Sequence, residues 1–115
     1  EPMNVHFRRK DPRFSFRQNI LVSHQDQILN ILCLDISKGG LSLMTRTDRF
    51  HLNDTLLLKI KNTSSDTTGF DAKGEVVSKR NITAADQQQV FFAYGIAFKE
   101  ITKPTYEWLV QLLGR

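Results

Sequence analysis

"ILNILCLDISKGGLSLMT", residues 28–45, is the stretch on which the fold turns. Its first nine residues are apolar and β-branched, the signature of a strand that closes at Asp35. "SKGG" is a turn whose glycines, Gly39 and Gly40, are able to take φ > 0. "LSLMT" then alternates, placing Leu41 and Leu43 on one face of a further strand. Cys33, the only cysteine, lies in the apolar run and reads as a small buried hydrophobe. A disulfide within the chain and a cysteine-built metal cage are therefore excluded.

Working outward, the same grammar repeats. Upstream, Phe14 and Phe16 alternate on one face expected to point into the core, the pattern breaks around Gln18 and Asn19, and Ile20 and Val22 resume it. The polar "SHQDQ" (23–27) is a hairpin connection to the central stretch. Downstream, "RTDRFHLND" (46–54) is a loop closed by Asn53-Asp54, and "TLLLKI" (55–60) is a fourth strand. "KNTSSDTTG" (61–69) and "NITAADQQQ" (81–89) are polar connections around a fifth strand, "FDAKGEVVSK" (70–79). "VFFAYGIAFKEI" (90–101) is a sixth. Gly74 and Gly95 sit in mid-strand, where glycine marks a bulge or a barrel bend.

The tail changes period. Thr102 is placed as an N-cap and Pro104 in the first turn, where its missing N–H costs nothing. Tyr106, Leu109, Val110 and Leu113 recur at helical spacing, and Gly114 stands as a C-cap, predicting one helix over 103–113. The fold class expected is all-β: a six-stranded antiparallel barrel over residues 8–115 with a C-terminal α-helix, preceded by a flexible arm at 1–7.

At 115 residues the chain is one domain by length, with 40% hydrophobic and 24% charged residues. No apolar run approaches the roughly 20 residues that span a bilayer. The start at Glu1-Pro2 suggests a piece of a longer protein, and a cytoplasmic setting is expected for it, with no membrane contact by this domain. The net charge of +4 favours an anionic partner without choosing among nucleic acid, nucleotide and headgroup. His6, His24 and His51 lack metal-ligand spacing, no glycine-rich loop precedes a helix, and Ser37 has no nucleophile-elbow setting. No enzyme, no metal and no cofactor are expected.

Two motifs remain. In "RRKDPR" (8–13), Pro12 biases Asp11 away from helix, so the segment is extended or turned and its arginines can splay around a ligand. Arginine's planar fork suits both phosphate oxygens and the O6/N7 edge of guanine. In "DISKGG" (35–40), a carboxylate can accept from a guanine N1–H and amine, a serine can donate to phosphate, and a glycine lets a flat ligand approach the backbone. Taken singly, the bland alternatives are a solvated basic arm and an Asp-Ser hairpin turn.

Together and in this order the pair resembles the PilZ domain, a bacterial receptor for cyclic di-GMP, whose pattern is RxxxR at the start of the barrel followed by [D/N]xSxxG. Arg9 to Arg13 fills the first motif and Asp35 to Gly40 the second. "RFSFR" (13–17) also fits RxxxR, but that register lies inside the strand. "GEVVS" from Gly74 and "GIAF" from Gly95 match the family's late strands, and the resemblance covers residues 7 to 113.

The resemblance implies a split barrel and a ligand, cyclic di-GMP. Arg9 and Arg13 would clamp guanine edges and phosphates. Asp35 and Ser37 would hold a guanine and a phosphate, Gly40 would give clearance, and Lys10 and Gly39 would be secondary contacts. An arginine at Arg8 tends in this family to go with an intercalated, stacked ligand dimer. Binding would fold the arm onto the barrel and pass a signal to an attached domain or a protein effector. The alternatives weighed are a nucleic-acid-binding barrel of the OB type, which wants aromatics on an exposed sheet face, and a PilZ-like interaction module without ligand. On the preferred reading nucleic acid is not a partner.

Overall fold

The computed structural model describes residues 13–60, 70–83 and 89–114. Six strands follow in order: β1 Phe14–His24, β2 Gln27–Ile36, β3 Gly40–Thr45, β4 Thr55–Lys59, β5 Ala72–Thr83 and β6 Val90–Ile101. One helix, α1 Lys103–Leu113, ends the fold. Every pairing is antiparallel, and the ring runs β1-β2-β3-β6-β5-β4 back to β1. Closure leaves few free sheet edges, but the ring is irregular. β1 meets β4 at only three positions, Leu21 to Ser23 against Lys59 to Leu57.

Local chemistry sets each junction. β1 and β2 are joined by the two residues Gln25 and Asp26, both at positive φ (51° and 65°), the geometry whose twist matches a two-residue hairpin. Asn53, at φ 73°, makes the turn expected before β4. The break read around Gln18 is a bulge between Ser15 and Gln18, and a second bulge sits between Lys73 and Gly74.

Alternation along the strands fills the ring. Ile20, Val22, Ile31, Cys33, Leu41, Leu43, Leu56 and Leu58 point inward, with Phe50 from the 46–54 loop and Tyr94 and Phe98 from β6. Cys33 is fully buried, and burial, reinforced by the Asp35 charge, pushes its thiol up to about 12. Leu109 of α1 enters the same core, and Trp108 meets Phe16 edge-on at 5.9 Å.

Five expectations change. The glycines of the 37–40 turn are not at positive φ; Gly40 is required because β3 passes against β6, and a Cβ there would lie 1.9 Å from the Ile96 carbonyl oxygen. The fifth strand runs on to Thr83, because "NIT" pairs rung by rung with Phe92, Phe91 and Val90. Phe14 and Phe16 do not share a fate: Phe16 is buried, whereas Phe14 is 40% exposed. On α1 the inward face is Thr105, Trp108, Leu109 and Leu112, and Val110 faces outward. Thr102 occupies the N-cap, yet its hydroxyl bonds the Thr105 hydroxyl at 2.7 Å instead of a helix N–H. The arm expected at 1–7, and residues 8–12 after it, lie outside the described residues.

Candidate functional site

The outward face of the sheet from β2 to β5 carries a row of facing residues. Asp35 faces Ser42, Ser42 faces Gly95, and Gly95 faces Ser78. Each owes its direction to its strand's alternation. Leu41 and Leu43 are fully buried, which turns Ser42 outward between them. Asp35 follows a bulge between Cys33 and Asp35, which carries the carboxylate to the outer side while Cys33 and Ile36 stay in the core. Two residues further along β5 and β6, Arg80 faces Ala93 on the same side.

Arg13, one residue before β1, reaches over this row. Its guanidinium donates to Asp35 Oδ1 at 2.8 Å and to Ser42 Oγ at 3.0 Å. The pair is part-exposed, with side-chain accessibilities of 35% and 29%, so solvent and salt weaken it and it contributes only about 0–1 kcal/mol to stability. Its value is positional: it holds a cation and an acceptor side by side, at little cost to separate. Around them lies an open cleft of about 440 Å³ lined by Arg13, Leu34, Asp35, Ser42, Ser78, Arg80, Ala93, Tyr94 and Gly95.

The floor is stiff. Tyr94 is 1% exposed, and its ring meets Phe50 edge-on at 5.0 Å. Its hydroxyl accepts from the Arg49 amide at 2.9 Å and donates to Asp48 Oδ1 at 3.4 Å. Lys79 pairs with the same Asp48 oxygen and holds that carboxyl below its usual range. The loop's far end is tied down by Asp54. Its Oδ2 accepts from the His51 amide at 2.9 Å and lies 3.0 Å from His24 Nε2, and the amide bond leads in holding its carboxyl low.

The residues expected at the site fall into three groups. Arg13 and Asp35 come together at the cleft. Ser37, Gly39 and Gly40 form the turn beside it. Ser37 is 4% exposed; its hydroxyl donates to the Gly40 carbonyl at 3.2 Å and accepts from the Gly39 amide at 3.3 Å. The Gly39 carbonyl accepts from the Phe98 amide at 2.9 Å, pinning the turn to β6. Arg8, Arg9 and Lys10 lie outside the described residues. Ser42, Ser78, Arg80, Tyr94 and Gly95 were not read from sequence as cleft residues, since only the strand register brings them to Asp35. The outward phase of Ser42 in "LSLMT" was the one available signal. Among the described residues no cluster of His, Cys, Asp and Glu could hold a metal ion, and no helix is long and apolar enough to cross a membrane.

Among curated proteins nothing matches the chain. Solved structures do. The PilZ domain of YcgR from Escherichia coli, with c-di-GMP, superposes with a TM-score of 0.67 at 13% identity, over 93% of this chain and 89% of that one. The MrkH–c-di-GMP complex of K. pneumonia gives 0.70 at 19% identity over 94% of this chain, and the Bacillus subtilis inhibitor of motility MotI/DgrA gives 0.64 at 18% over 96%. This chain spans 51% of each of the last two. At such identities the likeness is one of fold. The sequence itself matches the family model described as PilZ domain over residues 7–115, and the chain belongs to the PilZ domain family.

Proposed function

We propose that this domain is a receptor for cyclic di-GMP, which it takes into the cleft lined by Arg13 and Asp35 and reports to an attached domain or a protein effector. The observation that carries the reading is the 2.8 Å contact between Arg13 and Asp35, since it joins the two ends of the paired motif at the mouth of a cleft. Family membership and the c-di-GMP complexes of YcgR and MrkH support the choice of ligand.

In this reading Asp35 accepts from a guanine N1–H and amine. Arg13, released from Asp35, turns its fork onto a phosphate or a guanine edge beside Arg9. Ser37 and Gly40 serve by fixing the turn that presents Asp35, and Gly39 by its bond to β6. Lys10 adds charge, and Arg8 favours two stacked ligands over one. Micromolar affinity needs about 8 kcal/mol. Bidentate arginine contacts give roughly 1–3 kcal/mol each, so two or three of them supply part of that figure, and Asp35 and a stacked base must supply the remainder together with the cost of ordering the arm. Before binding, Arg8, Arg9, Lys10 and Arg13 repel one another; two phosphate charges remove that repulsion, and the arm's docking is the signal.

Calorimetric titration with cyclic di-GMP tests this. Arg9→Ala and Asp35→Ala are each expected to weaken binding at least tenfold, and Arg8→Leu to lower the ligand count from two towards one. Heats unchanged in both alanine variants would refute the site.

A further inference from the structure

Among the described residues the paired motif brings one cation to the cleft, Arg13, and it stands at one end. Arg13 sits over Asp35, on the β1–β2 side. The floor then runs across β3 and β6 to β5, three strand spacings or about 14 Å from Asp35 to Ser78. At that far end stands Arg80, exposed, on the cleft-facing side of β5. Among the described residues it has no ion pair, whereas its neighbour Lys79 points to the other side of the strand and pairs with Asp48.

We propose that Arg80 is a phosphate-binding residue of this cleft, the cation at the end opposite Asp35. The inference rests on the cyclic di-GMP reading above and assigns the ligand's second wall. A dinucleotide with one guanine at Asp35 and its length across the strands carries its phosphodiester ring over Gly95. No side chain rises from that position, and a Cβ there would already meet Ser78 Oγ at 2.3 Å. Ser42 and Ser78 flank the gap with hydroxyls. A diester approaching that floor finds Arg13 on one side and Arg80 on the other, so its charge is met from both. Phosphate is favoured over a guanine edge as the partner of Arg80 because each diester carries a full negative charge, whereas the ligand's second guanine, beyond the ring, meets no carboxylate among the residues that line this end.

The test is a titration series with cyclic di-GMP on the parent, Arg80→Gln, Arg80→Lys, Arg13→Ala and Asp35→Ala, each at low and high salt. Arg80→Gln is expected to weaken binding about tenfold and to flatten the fall of affinity with salt, with an unchanged Tm. Arg80→Lys, which keeps the point charge, is expected to stay within about threefold of the parent. Parent-like affinity in Arg80→Gln alongside impaired Arg13→Ala and Asp35→Ala would remove Arg80 while leaving the cleft reading intact. Arg80→Lys as poor as Arg80→Gln would replace phosphate by a fork on a base edge. A parent that binds no ligand would end both readings.

Discussion

Gly40→Ala tests the closest approach in the ring. The new Cβ would sit 1.9 Å from the Ile96 carbonyl oxygen, 3.0 Å from its carbon and 3.3 Å from Ala97 Cα, all backbone atoms of β6 that no rotamer change can move. An ordinary contact of about 3.5 Å requires β3 and β6 to part by roughly 1.5 Å. A bond of 2.9 Å stretched that far is no longer a hydrogen bond, and the bond from the Phe98 amide to the Gly39 carbonyl lies at this point. The Gly40–Ala97 rung and the Ser37–Gly40 turn bonds share the strain. Two or three bonds left poorly satisfied at about 1–3 kcal/mol each give a loss of about 3–5 kcal/mol, a large part of the 5–15 kcal/mol of a typical domain. Urea unfolding should show a lower midpoint at constant m, and thermal unfolding a Tm lower by about 12 °C or more. A Tm within about 2 °C of the parent would refute the claim that close approach, not turn conformation, demands glycine here.

Gly95→Leu should do the reverse. Its side chain meets only the mobile end of Ser78 and then fills the cleft, so stability should change by less than about 1 kcal/mol while cyclic di-GMP binding falls at least tenfold by calorimetry. Cys33, with its thiol near 12 and no exposure, should resist a thiol reagent at pH 8 in the native state and react fully in urea. The Asp54 carboxyl is held below its usual 3.8, so its contribution is complete above that value and is lost as pH falls through the lower folded value. Asp54→Asn should therefore lose stability relative to the parent at pH 6, with the gap closing towards pH 2 in urea melts.

The ring was legible because its strands alternate strongly and its turns use residues with one structural meaning. Val22 and Leu43 announce an inward face, and "SHQDQ" can hardly be anything but a hairpin. The helix was legible in extent but its face was misjudged by one position, because Trp108 and Thr105 carry the contact with Phe16 and the core while Val110, equally apolar, is left outside. Two residues of the candidate cleft, Arg13 and Asp35, could be read from local motifs. Ser42, Gly95, Ser78 and Arg80 are joined to them by cross-strand register, which no local pattern encodes. The glycines of the turn misled for a related reason: Gly40 is constrained by β6, 56 residues along from it at Ile96, and not by its own dihedrals.

The first rungs of β1, Phe14 against Ile36 and Ser15 against Asp35, have β2 as their sole neighbour, since β4 joins only at Leu21. A tug on the chain ahead of Arg13 is thus borne first by the ladder that aims the Asp35 carboxylate. Both rungs lie ahead of the bulge between Ser15 and Gln18, so tension entering from that direction meets the strand that carries Asp35 before it meets the pairing of β1 with β4.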